Sequence, residues 1–313
     1  MGQIAFVFPG QGSQVVGMGK ALAEAFPEAR AVFAAADDAL GEKLSALCFE
    51  GPEEALKLTA NTQPAILTAS VAVDAVLRKR GITPAFVAGH SLGEYSALVS
   101  AGALKLHDAV RAVRARGTFM QEAVPAGVGA MAAVLGLEPE KVKAACDAAA
   151  EGQVLSPANY NSPEQTVIAG AAQAVARAEA KLKEAGAKRV VPLPVSAPFH
   201  CALMEPVKPR LAEVLGRATV SAPTVPVVAN VTAQANSDAS RVVPLLLEQV
   251  SAPVRWIECV QELHRLGVTR FVEVGPGKVL CGLGKRINRE LEFFNVEDPA
   301  SLEKTLAALG GAA

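Results

Sequence analysis

Gly89-His90-Ser91-Leu92-Gly93 is the feature that most restricts this chain. It matches G-x-S-x-G, follows the short apolar run Phe86-Val87-Ala88 and opens a periodic stretch over residues 92–100. A strand that turns straight into a helix needs small residues on both sides of the turning serine, because bulk would clash there. The turn lifts the serine Oγ above the sheet and leaves the following N–H free to face an oxyanion. Strand, sharp turn and helix also form the unit of an α/β fold with a parallel sheet. Ser91 is therefore read as a nucleophile that carries an acyl group.

The start of the chain has the same grammar. Residues 4–8 form an apolar run ending in Pro9-Gly10-Gln11-Gly12, a buried strand followed by a tight turn. Helices are predicted at about 17–26, 28–40, 53–59 and 63–80, the last closing at Gly81. The pattern then changes between 127 and 196. Strand 130–136, helix 139–150, strands 154–159 and 165–170 joined through Asn161-Ser162-Pro163, helix 173–186 and strand 189–195 follow in order. The succession βαββαβ is that of a ferredoxin-like unit, read here as an insertion. Beyond it, strands are predicted at 225–230 and 270–274, with helices at about 203–217, 241–250, 255–267 and 299–309.

A length of 313 residues suits two domains, or one large domain with an insert. The chain is 51% hydrophobic and 19% charged, which fits a compact enzyme. A formal net charge of -1 gives no whole-molecule reason to bind nucleic acid or a membrane. No stretch approaches the roughly 18 apolar residues of a spanning helix. The opening Met1-Gly2-Gln3-Ile4-Ala5-Phe6 lacks the pattern of a signal peptide, so the cytoplasm, or an organelle matrix after removal of a transit sequence, is expected, with a cytoplasmic location preferred. The five cysteines at 48, 146, 201, 259 and 281 form no C-x-x-C pair, so neither zinc nor a disulfide framework is expected. Cys201 adjoins His200 and is read as a small buried residue.

An activated serine needs a base, and the chain has four histidines. His107 begins a helix beside Asp108, and His264 lies between Glu262 and Arg265 on a polar face, so both are expected to be exposed. His90 adjoins the serine and would point away from Oγ. His200 lies in the irregular stretch Ser196-Ala197-Pro198-Phe199-His200, where the insertion rejoins the main body. Such junctions commonly present catalytic side chains, and elimination leaves His200 as the base. No clear acid stands ready to orient it; a carbonyl can fix the tautomer instead.

Two features stay open on spacing alone. Gly10-Gln11-Gly12-Ser13-Gln14 begins like a dinucleotide fingerprint, but Val15 stands where the third glycine belongs. The turn is either a plain connection or a source of an oxyanion-hole N–H. The helix predicted over 106–122 carries Arg111, Arg114 and Arg116 around a stripe of Leu106, Ala109, Val110, Val113, Gly117 and Met120. Arg116 flanks that stripe, and either snorkels to solvent or meets an anion.

Seven ordered motifs together resemble the malonyl-CoA:acyl carrier protein transacylase family, also found as the acyltransferase domain of polyketide and fatty acid synthases. They are residues 8–14, Thr62-Gln63-Pro64-Ala65, residues 89–95, Arg114-Ala115-Arg116-Gly117, residues 196–200, residues 249–256 and Glu273-Val274-Gly275-Pro276-Gly277. The resemblance covers nearly the whole chain. It implies a hydrolase-like α/β core of mainly parallel sheet over 1–126 and 197–313, with the ferredoxin-like insert at 127–196. It also implies that Ser91 takes malonyl from CoA, that His200 is its base, and that Gln11 and Leu92 N–H groups form the oxyanion hole. Arg116 would hold the free malonyl carboxylate, and Gln249 would orient His200 through a carbonyl. Gln63, Met120 and Phe199 would complete the substrate pocket, with Phe199 the malonyl-type residue where methylmalonyl enzymes carry Ser.

The implied partners are malonyl-CoA and an acyl carrier protein bearing phosphopantetheine, with no permanently bound cofactor, no metal, no nucleic acid and no membrane. Fatty acid synthesis is the expected setting. An acidic carrier would find basic groups at Lys188, Arg189, Lys208, Arg210, Lys285 and Arg286. A patatin-like or esterase-type hydrolase shares the elbow but would release free acid and has no use for Arg116. A non-catalytic docking subunit would lack the serine or the base.

Overall fold

The computed structural model describes residues 2–195 and 197–310. Ser196, the last residue of the expected insert, lies outside the described residues, as do Met1 and residues 311–313 of the expected core segments. Strands in chain order are β1 (Gln3–Phe8), β2 (Phe86–Gly89), β3 (Gly129–Leu135), β4 (Leu155–Ser162) and β5 (Gln165–Ala171). They continue as β6 (Arg189–Pro192), β7 (Val227–Val228), β8 (Ala235–Asn236), β9 (Val268–Val274) and β10 (Glu292–Val296).

One sheet has the order β10-β9-β1-β2-β7-β8. Every neighbouring pair in it is parallel except the antiparallel edge pair β7 and β8. Strand β1 alternates between two apolar layers, as the two-residue period of a strand requires. Phe6 and Phe8 pack with Ile66, Leu67 and Val113 on one side, and Ala5 and Val7 pack with Trp256, Val260 and Leu280 on the other. Because β1 and β2 pair in parallel with Phe8 opposite Gly89, the turns after both strands open at the same edge of the sheet. That edge, beyond the strand C-termini, is where α/β folds place their sites.

The second sheet has the order β4-β5-β3-β6 and is antiparallel throughout. Counted from β3, that is the strand order 2-3-1-4 expected for βαββαβ with split crossovers. Helices Pro139–Ala150 and Ala172–Glu184 cover it through Val142, Cys146, Val175 and Leu182. The fold is thus α/β, with one mainly parallel sheet and one antiparallel sheet.

Several expected boundaries shift for physical reasons. Asn161 and Ser162 lie in β4, not in its turn, so Pro163-Glu164 alone joins the hairpin. The strand expected over 225–230 shortens to Val227–Val228, and the strand over 189–195 ends at Pro192. The helix expected over 203–217 is a short 3-10 turn, Ala202–Met204, then Val207–Leu215. Helix Leu44–Glu50, helix Val279–Ile287 and strand β10 have no counterpart among the sequence-based expectations. Helix Val279–Ile287 carries Gly282 and Gly284, which mask its periodicity; a Cβ on Gly284 would lie 2.2 Å from the Phe293 ring. Its start is fixed by Glu273, whose carboxylate accepts the Leu280 and Cys281 N–H groups at 3.0 and 2.8 Å. All five cysteines are free and buried.

Candidate active site

The Ser91 turn is dictated by backbone meeting backbone. A Cβ on Gly89 would lie 1.9 Å from the carbonyl carbon of Gly93, and one on Gly93 would lie 2.1 Å from the Phe8 carbonyl oxygen. Between them Ser91 has φ of 51°, a left-handed conformation that costs a non-glycine residue about 1–3 kcal/mol. Asn230, just past β7, holds it there. Its Oδ1 accepts the Ser91 N–H at 2.7 Å, and its Nδ2 donates to the Gly89 carbonyl at 2.7 Å. The next N–H along, that of Leu92, donates to no described residue, and the same is true of the Gln11 N–H.

His200 also adopts a left-handed backbone, with φ of 59°, and is 4% exposed. Its Nε2 lies 2.7 Å from Ser91 Oγ, and its Nδ1 lies 2.9 Å from the Gln249 backbone carbonyl. A carbonyl can only accept, so Nδ1 carries the proton and Nε2 offers its lone pair to the serine hydroxyl. Burial, aided by the Arg116 charge and opposed by the Gln249 carbonyl, pushes the imidazole pKa down to about 3. The ring is therefore neutral near pH 7, the form a general base requires.

The open question at Arg116 has a clear answer: its side chain is 1% exposed and points inward. Helix Leu106–Glu122 meets helix Thr59–Lys79 at Gly117, where a Cβ would lie 2.6 Å from the Thr59 carbonyl. This close approach brings Arg116 onto Gln63. Arg116 NH1 donates to Gln63 Oε1 at 2.9 Å, while NH2 donates to Gln249 Oε1 at 2.9 Å and to Ser91 Oγ at 3.2 Å. All three acceptors are neutral, and Arg116 makes no ion pair among the described residues. Its Nε–H has no partner there either. A buried guanidinium left with neutral acceptors beside a nucleophile is ready for an anionic group.

The other candidates separate cleanly. Arg114 pairs with Glu42 and Asn61, and Arg111 donates to the Ala39 carbonyl. His90 turns its Nε2 to Asn161 Oδ1 at 2.7 Å, away from Ser91, and its ring centroid lies 5.7 Å from that of Trp256. His107 pairs with Asp108 and His264 is exposed. Ser91, His200, Gln11, Leu92, Arg116, Gln63, Met120 and Phe199 all line one cavity of about 110 Å³, whose wall is completed by His90, Met131, Asn159, Leu193 and Val195. Gln249 sits behind that wall.

Sequence reasoning missed Asn230, Glu94 and Asn161. Asn230 had one signal: it ends an apolar run at the C-terminal edge of the sheet. Glu94 had another, as the only charged residue in the run Gly93–Ser100 that follows the elbow. Glu94 is 2% exposed, and burial raises its pKa to about 7 against the opposing hydrogen bonds from Asn230 and Gln249 and the charge of Arg116.

A serine on a strained strand-to-helix turn, faced by a neutral imidazole and a buried arginine, is the site of an acyltransferase that works through a serine. The chain belongs to the family described as the acyl transferase domain, whose model matches residues 5–301. It is 51% identical over 310 residues to the malonyl CoA-acyl carrier protein transacylase of Bacillus subtilis, covering 99% of this chain and 98% of that one. Among solved structures, an acyl carrier protein S-malonyltransferase from Vibrio cholerae superposes with a TM-score of 0.95 at 51% identity, covering 97% of this chain and 99% of that chain. A malonyl-transacylase in complex with its type II PKS acyl-carrier protein superposes equally well, with a TM-score of 0.95 at 49% identity, covering 98% and 99%. Among the described residues, no helix is long and apolar enough to cross a membrane.

Proposed function

We propose that this chain moves a malonyl group from malonyl-CoA to the phosphopantetheine thiol of an acyl carrier protein through a malonyl-Ser91 intermediate. One observation carries the reading: the Ser91 hydroxyl sits between His200 Nε2 at 2.7 Å and Arg116 NH2 at 3.2 Å. A base activates it from one side, and an arginine with no carboxylate partner among the described residues waits on the other.

In the first half-reaction Oγ attacks the thioester carbonyl as His200 Nε2 takes the hydroxyl proton. The Oγ–C bond forms, the C–S bond breaks, and His200 returns the proton to the departing CoA thiolate. Gln11 and Leu92 supply N–H groups to the oxyanion in this scheme. Arg116 pairs with the free carboxylate, with Gln63, Met120 and Phe199 around the rest of the malonyl group. The carrier thiol then gives its proton to His200 and attacks the acyl-serine, and Ser91 Oγ leaves with that proton. The Gln249 backbone carbonyl holds His200 in the tautomer both halves need.

The same reading assigns residues 1–126 and 197–313 to a catalytic body and 127–196 to an insert that closes one side of the cavity through Met131, Asn159, Leu193 and Val195. It places the enzyme in the cytoplasm, in fatty acid synthesis, with no permanently bound cofactor. Incubation with malonyl-CoA followed by intact-mass analysis should find malonyl on Ser91, and added holo carrier protein should discharge it. Release of free malonate without need of the carrier would point to a hydrolase instead.

A further inference from the structure

Among the described residues, Glu94 is the one buried carboxylate that reaches the Ser91–Arg116 network, and the proposed reaction gives it no task. Its Oε2 accepts the Gln249 Nε2–H at 2.8 Å and the Asn230 backbone N–H at 2.9 Å. Gln249 Nε2 also donates to the Ser91 carbonyl at 3.0 Å, while its Oε1 accepts from Arg116 NH2 at 2.9 Å. The two ends of this amide are therefore sorted by donor and acceptor role. Its donor end faces a carboxylate and a carbonyl, and its acceptor end faces a guanidinium. Turned the other way, the amide would set an NH2 group against Arg116 and an oxygen against Glu94, losing both bonds and leaving like poles in contact.

We infer that Glu94 is a positioning residue for recognition of the acyl group: it fixes the Gln249 amide so that its oxygen holds Arg116 toward Ser91. Arg116 touches no carboxylate among the described residues, so Glu94 acts on it through one amide and leaves guanidinium N–H groups for an incoming anion. A direct Glu94–Arg116 pair would occupy those donors. The same carboxylate anchors Asn230, whose side chain holds the Ser91 turn, so one residue ties the nucleophile and the anion site to a common support. The inference rests on Arg116 receiving the malonyl carboxylate.

The test compares loading of Ser91 by malonyl-CoA and by acetyl-CoA, which lacks the second carboxylate, in wild type and in Glu94→Ala, Glu94→Asp and Glu94→Gln. Glu94→Ala should raise the malonyl-CoA KM about tenfold or more while the acetyl-CoA KM moves less than about threefold, so the preference for malonyl collapses. Glu94→Asp, with its arm one methylene shorter, should lose part of that preference. Glu94→Gln keeps an oxygen for Gln249 and should recover most of it. If Glu94→Ala does not fold, the Asp and Gln variants carry the same comparison. Equal losses for both acyl groups, or loss of stability with the malonyl-to-acetyl ratio unchanged, would overturn the inference while leaving the transferase reading intact. Failure of the wild type to load malonyl would overturn both.

Discussion

Arg116 donates to the Oγ of Ser91 at 3.2 Å, so the group proposed to hold the substrate's anion rests on the nucleophile before substrate arrives. The same hydroxyl meets the His200 lone pair at 2.7 Å. Recognition and activation are thus joined at one oxygen.

Arg116→Ala should separate these two roles. Loss of a charge-assisted, bidentate contact is expected to slow malonyl loading on the order of 100-fold, while acetyl loading changes only a few-fold. Single-turnover loading followed by mass spectrometry reads both rates. Malonyl loading at the wild-type rate would remove Arg116 from the recognition step.

The depressed His200 pKa fixes the direction of the pH dependence. The base works in its neutral form, and burial with the Arg116 charge holds it neutral down to about pH 3. The acid limb of kcat/KM for acetyl loading should therefore lie below the ordinary histidine value of about 6.5. Removing the Arg116 charge should move that limb to higher pH, and burial, the larger cause, should keep it below 6.5. In stability the sign is the same: His200's contribution is complete above about 6.5 and is lost as pH falls toward 3, because the unfolded chain binds a proton that the folded one resists. A wild-type acid limb at or above pH 6.5 would contradict this.

Gly93→Ala tests the elbow sterically. The added Cβ would lie 2.1 Å from the Phe8 carbonyl oxygen, and that atom belongs to the central strand β1 and cannot yield like a flexible side chain. A loss of about 1–3 kcal/mol or more is expected, together with loss of Ser91 loading. Urea unfolding and mass spectrometry measure the two effects. An alanine variant with wild-type stability would mean that β1 and the turn are not packed this tightly.

The elbow is legible in the sequence because its causes are local. A five-residue motif, an apolar run before it and a periodic run after it all fall within about 15 residues. The position of Arg116 is only half legible: periodicity puts it at the edge of a stripe. Whether that edge faces solvent or core depends on Gly117 meeting Thr59, 58 residues earlier in the chain. The support beneath the site is less legible still. Asn230 and Gln249 reach Ser91 across 139 and 158 residues, and no pattern within one segment encodes a hydrogen bond of that separation. Among the elements, Leu106–Glu122 and Pro139–Ala150 coincide with their expected limits because strong periodicity or a proline start defines them. The strand predicted over 225–230 is found, but its limits, Val227–Val228, are set by pairing with β2 and β8, and the two-residue β8 itself exists only through β7 and so lies beyond a sequence window.

Asn230→Ala should weaken the turn without touching the cavity, which Asn230 does not line. Its side chain satisfies the Ser91 N–H and the Gly89 carbonyl, so its loss leaves a donor and an acceptor unpaired at a strained backbone. A destabilisation of about 1–3 kcal/mol is expected. Because Oγ is then held less firmly, kcat should fall for malonyl and acetyl alike, with KM for each little changed. A fall confined to malonyl would assign Asn230 to anion recognition instead.

Phe199 offers a test of how the cavity measures the acyl group. Its ring is 9% exposed and lines the cavity beside His200, while its N–H approaches Met131 Sδ at 3.3 Å. An α-methyl on the malonyl group needs extra room in a cavity of only about 110 Å³, and a wall of Phe199, Met120 and Met131 gives it little. One methyl is worth about 10–200-fold in a close-fitting apolar pocket, so the wild type should prefer malonyl-CoA over methylmalonyl-CoA within that range. Phe199→Ser removes the ring and should reduce the ratio of the two kcat/KM values by about tenfold, chiefly through faster methylmalonyl loading. Loading by malonyl should persist, because Ser91, His200 and Arg116 keep their partners. Competition between the two thioesters, read as the mass of acyl-Ser91, gives the ratio directly. If the ratio stays at the wild-type value while both acyl groups load, the ring does not set the size limit and the boundary lies with the remaining wall.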